Sequence, residues 1–361
     1  MSKSIIAASL CVLAATGARA QIIFRSFHYE AASRADCTPK KSVGFSCNGC
    51  EKGMEKAISK AVVAACAARQ KAAPHEKQME FASGYVIDVD LARVLPVIGE
   101  RNVSSTCSKK GVVTYAYPKV GNDDGAAKGL LPVKLQTTQA WAAAHPQVVL
   151  ALNANYFKFE KDSKVRENAC GEVTGIIWSN GKMHWPLNCK DVKADPADAA
   201  HHTMALAFEA SGTHAAMLDV SSCEAWGQAM RKAQVTDAVS GVPLLIGGRY
   251  FDNAGTNETA LIARNAVGLF DPGQGGFKKL RVVVWENYAG KDKKVVSKGI
   301  RLPELAGFFR ALGVDDAINM DGSGSASLVY KSGNTVVLNH TSDLEGTPRP
   351  VVSSFGFRLR R

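Results

Sequence analysis

Cysteine placement constrains this chain more than any other feature. The sequence has 361 residues and nine cysteines, and Cys11 lies in a stretch that reads as a leader. Lys3 gives a positive start, Ile5 to Ala15 form an apolar core too short to span a bilayer, and Ala18-Arg19-Ala20 places small residues at a cleavage position. The expected organisation is a signal peptide over 1–20, a cysteine-rich helical extension over 21–78 and one larger domain over 79–361. Export to the periplasm or beyond leaves eight cysteines in an oxidising compartment, where an even number reads as disulfides. Cys37, Cys47, Cys50 and Cys66 fall in the extension. Cys47-Asn-Gly-Cys50 has the spacing of a redox or metal pair. A zinc site needs four ligands, for which Cys37 and Cys66 are available, and a thioredoxin-like site needs a βαβ context that is not evident. Two structural disulfides are the expected outcome. A bridge between Cys170 and Cys189 is expected as well, because they flank two strand patterns joined through Asn180-Gly181, a strong hairpin signal.

Composition excludes several classes. Hydrophobic residues make up 46% and charged residues 21%, which fits a folded globular chain. No later apolar run is long enough for a spanning helix, so the chain is not expected to be membrane-integral. A formal charge of +11 invites a nucleic-acid partner. The basic residues, however, are scattered in short groups such as Lys109-Lys110 and Lys278-Lys279. No nucleic acid is expected; a dispersed positive surface suits anionic polymers, lipids or phosphorylated sugars.

The hydropathy pattern predicts an α+β fold, a mixed sheet domain with flanking helices. Residues 51–71 carry Met54, Ile58, Ala61, Val62 and Ala65 on one helical stripe. Further helices are expected over 137–144, 224–233 and 302–312, the last stopped by Gly313. Strand patterns cover 84–94, 147–152, 204–208, 215–220, 241–248, 266–270, 280–285, 317–320, 327–330 and 335–338.

Three stretches carry chemistry. In Asn319-Met-Asp-Gly-Ser-Gly-Ser325 an apolar strand runs into Asp321 and a Gly-rich turn. Such a turn points backbone N–H groups at an anion, Ser323 and Ser325 add hydroxyls, and a strand-end carboxylate can act as acid, base or nucleophile. Asn153-Ala-Asn-Tyr-Phe157 also follows an apolar strand, and amides beside aromatics suit a sugar. Arg264 and Arg349 each precede an apolar run, and arginine is the preferred bidentate partner of phosphate. The histidines lack metal spacing: His201-His202 has no third ligand, and only His340 lies near the turn. No metal and no cofactor are expected.

These stretches, in this order, resemble the phosphodiester glycosidase family, over roughly residues 80–361. The resemblance implies an exported hydrolase that cleaves the bond between a sugar and a phosphodiester in a glycan or cell-envelope polymer. It implies catalytic roles for Asp321 and Asn319, and substrate binding by Asn153, Tyr156, Arg264, Gly322, Ser323, Gly324, Ser325 and Arg349. The alternative is a non-catalytic glycan- or sugar-phosphate-binding protein on the same fold. Three positions depart from the family pattern: Asn155 and Ser323 stand where glycine is usual, and Asn265 where threonine is usual. Glu286 and Asp343 are candidates for a second carboxylate, without a motif behind them.

Overall fold

A computed structural model describes residues 21–33, 36–39, 44–72, 81–99, 107, 113–116, 126–129, 133–160, 169–185, 204–219, 228, 230–251, 259–273, 276–289, 295–332, 335–341 and 348–360. The fold is α+β, as the hydropathy pattern predicts. Strand pairs among the described residues are antiparallel, where a mixed sheet was expected. Some neighbours are joined by hairpins, such as Arg264–Gly273 with Gly276–Trp285, and others are far apart in sequence, such as Gly276–Trp285 with Phe81–Asp90, but all of these pair in opposite directions.

Three layers stack around two cores. The middle layer is the largest sheet, and period-2 alternation sends successive side chains to opposite faces. Along Gly276–Trp285, Val282 and Val284 enter one core while Val283 and Trp285 enter the other. The first core lies between this sheet and a five-stranded sheet containing Val148–Asn153, Ser327–Ser332 and Ser354–Leu359; Leu150, Leu152, Leu328, Phe355 and Phe357 close it. The second core lies under the helices Lys52–Ala72 and Leu302–Ala311. The latter begins with Pro303 in its first turn, and the Glu304 carboxylate accepts the Arg301 N–H at 3.2 Å.

The cysteine-rich segment is built into this core. Ile22–Ser33 pairs with Phe81–Asp90 from Ile22↔Val89 to Glu30↔Phe81. Ile58, Ala61, Val62 and Ala65 are buried, as the helical stripe predicts. Arg69, on the same helix and only 1% exposed, donates from Nη2 to Glu304 Oε2 at 2.7 Å and to Gly299 O at 3.0 Å. Disulfides Cys37–Cys66 and Cys47–Cys50 form here, the outcome expected of the extension.

The Cys170–Cys189 bridge is corrected: Cys170 bonds to Cys107, and Cys189 lies outside the described residues. The hairpin itself is present, Ile177–Ser179 against Lys182–Trp185, with Asn180 and Gly181 at φ 51° and 73°. Its first strand does not reach back to Cys170. Gly175, at φ 93°, breaks the run, and Cys170–Val173 belongs to a different, smaller sheet, beside Val133–Lys134 and Phe157–Glu160. Of the 224–233 helix, 228 and 230–232 are described and helical.

Candidate functional site

The three sequence stretches meet where strands Val148–Asn153, Arg264–Gly273 and Asp316–Asn319 end or begin. Backbone bonds stitch them together: Met320 N–H to Asn265 O at 2.8 Å, Asp321 N–H to Ala154 O at 3.0 Å and Ser323 N–H to Ala263 O at 2.8 Å. Gly322 is needed in this seam, since a Cβ there would lie 2.6 Å from Ala263 O.

A floor of asparagines supports the seam. Asn153 is fully buried; its Nδ2 donates to Asp321 O at 2.7 Å, and its Oδ1 accepts from Asn265 Nδ2 at 2.9 Å and Ser327 N–H at 3.0 Å. Asn153 therefore holds the Asp321 backbone from beneath rather than facing solvent. Asn155 is equally buried. Its Nδ2 donates to Ile176 O at 2.9 Å and Ser240 Oγ at 3.1 Å, and its Oδ1 accepts from Ser353 Oγ at 3.1 Å. Two of the three departures from the family pattern, Asn155 and Asn265, are thus internal ties.

Above this floor lies Asp321. It keeps some accessible surface although protein surrounds the carboxylate on nearly all sides, the situation of a group at the bottom of a narrow recess. Burial pushes its carboxyl up to about 6, against the pull of the Ser325 hydroxyl, the Arg349 charge, the Gly322 N–H and the Arg264 charge. Arg349 lies over the Gly-rich turn: a Cβ on Gly324 would come within 3.0 Å of its guanidinium carbon.

Arg264 is 1% exposed and anchored by Nε to Ile300 O at 3.2 Å and by Nη2 to Ala260 O at 3.1 Å. Burial works against its charge, and Tyr156, Tyr250 and Asp321 offset this. Tyr156 receives a short hydrogen bond from Asn319 Nδ2. Burial raises its phenol above the ordinary range, with Arg264 opposing and the Asp321 charge adding to the rise. Asn319 is fully buried and its Oδ1 has no hydrogen-bond partner.

The structure thus brings together all ten residues singled out in the sequence. Tyr250, which faces Arg264 electrostatically, escaped sequence reasoning; its only signal is its place just beyond the Gly247-Gly248 turn. Glu286 is elsewhere, accepting a short hydrogen bond from Ser83 Oγ and coupled to Tyr85, while Asp343 lies outside the described residues. His340 sits in the strand Thr335–Thr341 and His184 in the hairpin strand; His201 and His202 are outside the described residues. Among the described residues no group of three His, Cys, Asp or Glu side chains could hold a metal, and no helix is long and apolar enough to cross a membrane.

This arrangement can neutralise an anion with two guanidinium charges while presenting a carboxylate to an adjoining atom. Among the solved structures similar to the chain are the following three. One is the catalytic domain of zebrafish N-acetylglucosamine-1-phosphodiester alpha-N-acetylglucosaminidase, auto-inhibited by its pro-peptide, with 17% identity, a TM-score of 0.47 and 78% of each chain covered. Another is an exported protein from Burkholderia pseudomallei, at 14% identity and TM-score 0.44, covering 82% of this chain and 80% of that one. The third is a hypothetical protein from Synechocystis, at 13% identity and TM-score 0.40, covering 78% of this chain and 60% of that one. No curated protein sequence matches. The family model described as phosphodiester glycosidase matches residues 146–358, a span that holds the whole asparagine floor, Asp321 and both arginines, and the chain belongs to that family.

Proposed function

We propose that this protein is an exported hydrolase that cleaves the bond between a sugar anomeric carbon and a phosphodiester in a glycan or cell-envelope polymer. Family membership supports glycosidase chemistry on phosphodiesters. The observation that carries the reading is the position of Asp321: recessed, raised to about 6, and flanked by Arg349 and Arg264.

The substrate's single negative charge is met by the charges of Arg349 and Arg264, since the N–H groups of Gly322, Ser323 and Ser325 are taken up by Asp321, Ala263 O and Gly322 O. A phosphate monoester departs as an anion, so the leaving oxygen needs no proton donor. What remains is to stabilise an oxocarbenium-like sugar and to admit water. At neutral pH Asp321 is mostly ionised, which suits a charge stabiliser, a base toward water or a nucleophile. Tyr156, held by the bond from the buried Asn319 Nδ2, forms one side of the site and faces the sugar. Export agrees with the three disulfides, which persist in oxidising compartments.

The test is a panel of sugar-1-phosphodiesters incubated with wild-type protein and with Asp321→Asn, with product release followed by mass spectrometry. Release by the wild type alone is expected. Saturable binding without release in the wild type would replace the hydrolase with a sugar-phosphate-binding protein.

A further inference from the structure

We propose that the Cys47–Cys50 disulfide is a site of thiol–disulfide exchange, taking a small thiol or a protein dithiol as its reaction partner. The proposal does not rest on the glycosidase reading.

The three disulfides among the described residues differ in kind. Cys37 and Cys66 are 8% and 1% exposed and 29 residues apart in sequence. Cys107 and Cys170 are 3% and 5% exposed and 63 residues apart. Cys47 and Cys50 are both partly exposed, the Asn48-Gly49 link between them is exposed, and they are only 3 residues apart. A cross-link over so short a loop removes the least freedom from the unfolded chain. Stability explains the two buried bridges better than it explains this one.

Its setting favours reversible opening. Cys47 lies in the strand Phe45–Asn48, paired with Phe27, and Cys50 stands two residues before the helix Lys52–Ala72. Gly49, at φ 75°, packs down on the first strand, where a Cβ would lie 2.6 Å from Phe24 O. Strand pairing, this contact and the helix therefore hold the two Cα atoms, 5.6 Å apart, without help from the sulfur bond. The dithiol form keeps its sulfurs within reach of each other.

The exchange is balanced. An external thiolate attacks Sγ of Cys47; the S–S bond breaks and its electron pair leaves on Cys50, which takes up a proton released by the incoming thiol. A second thiolate attacks the outer sulfur of the mixed disulfide, releasing Cys47 as a thiolate that is protonated in turn. Two thiols are oxidised to a disulfide and the Cys47–Cys50 pair is reduced by two electrons.

The experiment equilibrates the intact protein in stepped mixtures of reduced and oxidised glutathione, traps free thiols with N-ethylmaleimide and maps them by peptide mass spectrometry. Cys47 and Cys50 are expected to label at a reducing ratio at least tenfold lower than Cys37, Cys66, Cys107 and Cys170, and to re-close when oxidised glutathione is restored. Joint opening of all three bridges, or opening of Cys47–Cys50 last, overturns the proposal. Cys50→Ser gives an independent reading: Cys47 is expected to carry glutathione as a stable mixed disulfide, and a Cys47 thiol inert to oxidised glutathione overturns the proposal as well.

Discussion

Asparagines and charged groups crowd the same strand ends, yet they form two layers with opposite properties. In the lower layer Asn153, Asn155 and Asn265 are fully buried, and their amide nitrogens all donate to protein atoms. In the upper layer Asp321, Tyr156 and Arg349 keep surface, and burial pulls Asp321 and Tyr156 away from their ordinary titration ranges. Residue type and strand-end position are shared by both layers. What separates them is remaining solvent access together with electrostatics that the protein leaves unbalanced.

The largest effect expected falls on the upper layer. Asp321→Asn keeps the shape of the side chain and its bonds from Ser325 and Gly322 but removes the charge. Turnover of a sugar-1-phosphodiester should fall by roughly 10²–10⁴-fold, the range for loss of a charged acid–base group. The same variant should remain folded by circular dichroism. The lower layer should answer in the opposite way. Asn153→Ala leaves Asp321 O and Ser327 N–H without their side-chain partner, and leaves the Asn265 amide only its longer bond, 3.3 Å, to Asn153 O. At about 1–3 kcal/mol for each buried unmatched group, partly relieved by relaxation, stability should fall by about 3–5 kcal/mol. Urea denaturation measures this. A stable but inactive Asn153→Ala variant would erase the distinction between the layers.

Titration sharpens the contrast further. The Asp321 carboxyl is raised to about 6 in the folded protein from an ordinary 3.8. Below the lower value it is neutral in both folded and unfolded chains and costs nothing. As pH rises through the folded value, the folded state must ionise a recessed carboxyl, and stability is lost. A shift of this size corresponds to about 2–3 kcal/mol. Asp321→Asn should therefore be more stable than the wild type by up to that amount at pH 7.5 and indistinguishable from it at pH 3, in parallel thermal melts. The kcat/KM profile of the wild type should fall on the acid side with an apparent pKa near 6. A variant with no stability gain at pH 7.5 would place the carboxyl in water.

Much of the upper layer was legible because its residues stand in tight sequence groups. Asn319-Met-Asp321 follows a buried strand and the Gly-rich turn follows at once, so local pattern alone marks the place. The lower layer was misread, because a strand-exit asparagine has the same local pattern whether it faces solvent or the opposite sheet. The pairings of Val148–Asn153 with Ser354–Leu359 and Ser327–Ser332, and the bond from Asn265, bury Asn153, and they join residues far apart in sequence. The first strand was also missed. Arg25, Phe27, Tyr29 and Ala31 alternate inward, but the neighbouring cysteines read as a separate extension. The Cys170 error has the same root: Gly175 moves the chain from one sheet to another, and a continuous strand pattern conceals the change.

The smallest effect concerns the third departure. Ser323 has φ 54°, a left-handed conformation that costs a residue with a Cβ about 1–2 kcal/mol. The turn requires it, because the Ser323 N–H reaches Ala263 O at 2.8 Å and so closes the seam beneath Asp321. Glycine would adopt the same conformation without strain, but it would also loosen the unfolded chain, at about 0.4–1 kcal/mol. Ser323→Gly should therefore stabilise the protein by only about 0.5–1 kcal/mol, visible as a rise of about 1 °C in Tm for a chain of this size. A fall in Tm instead would mean that the Ser323 hydroxyl, rather than its backbone, holds the turn, and this residue would then belong with the buried asparagines below it.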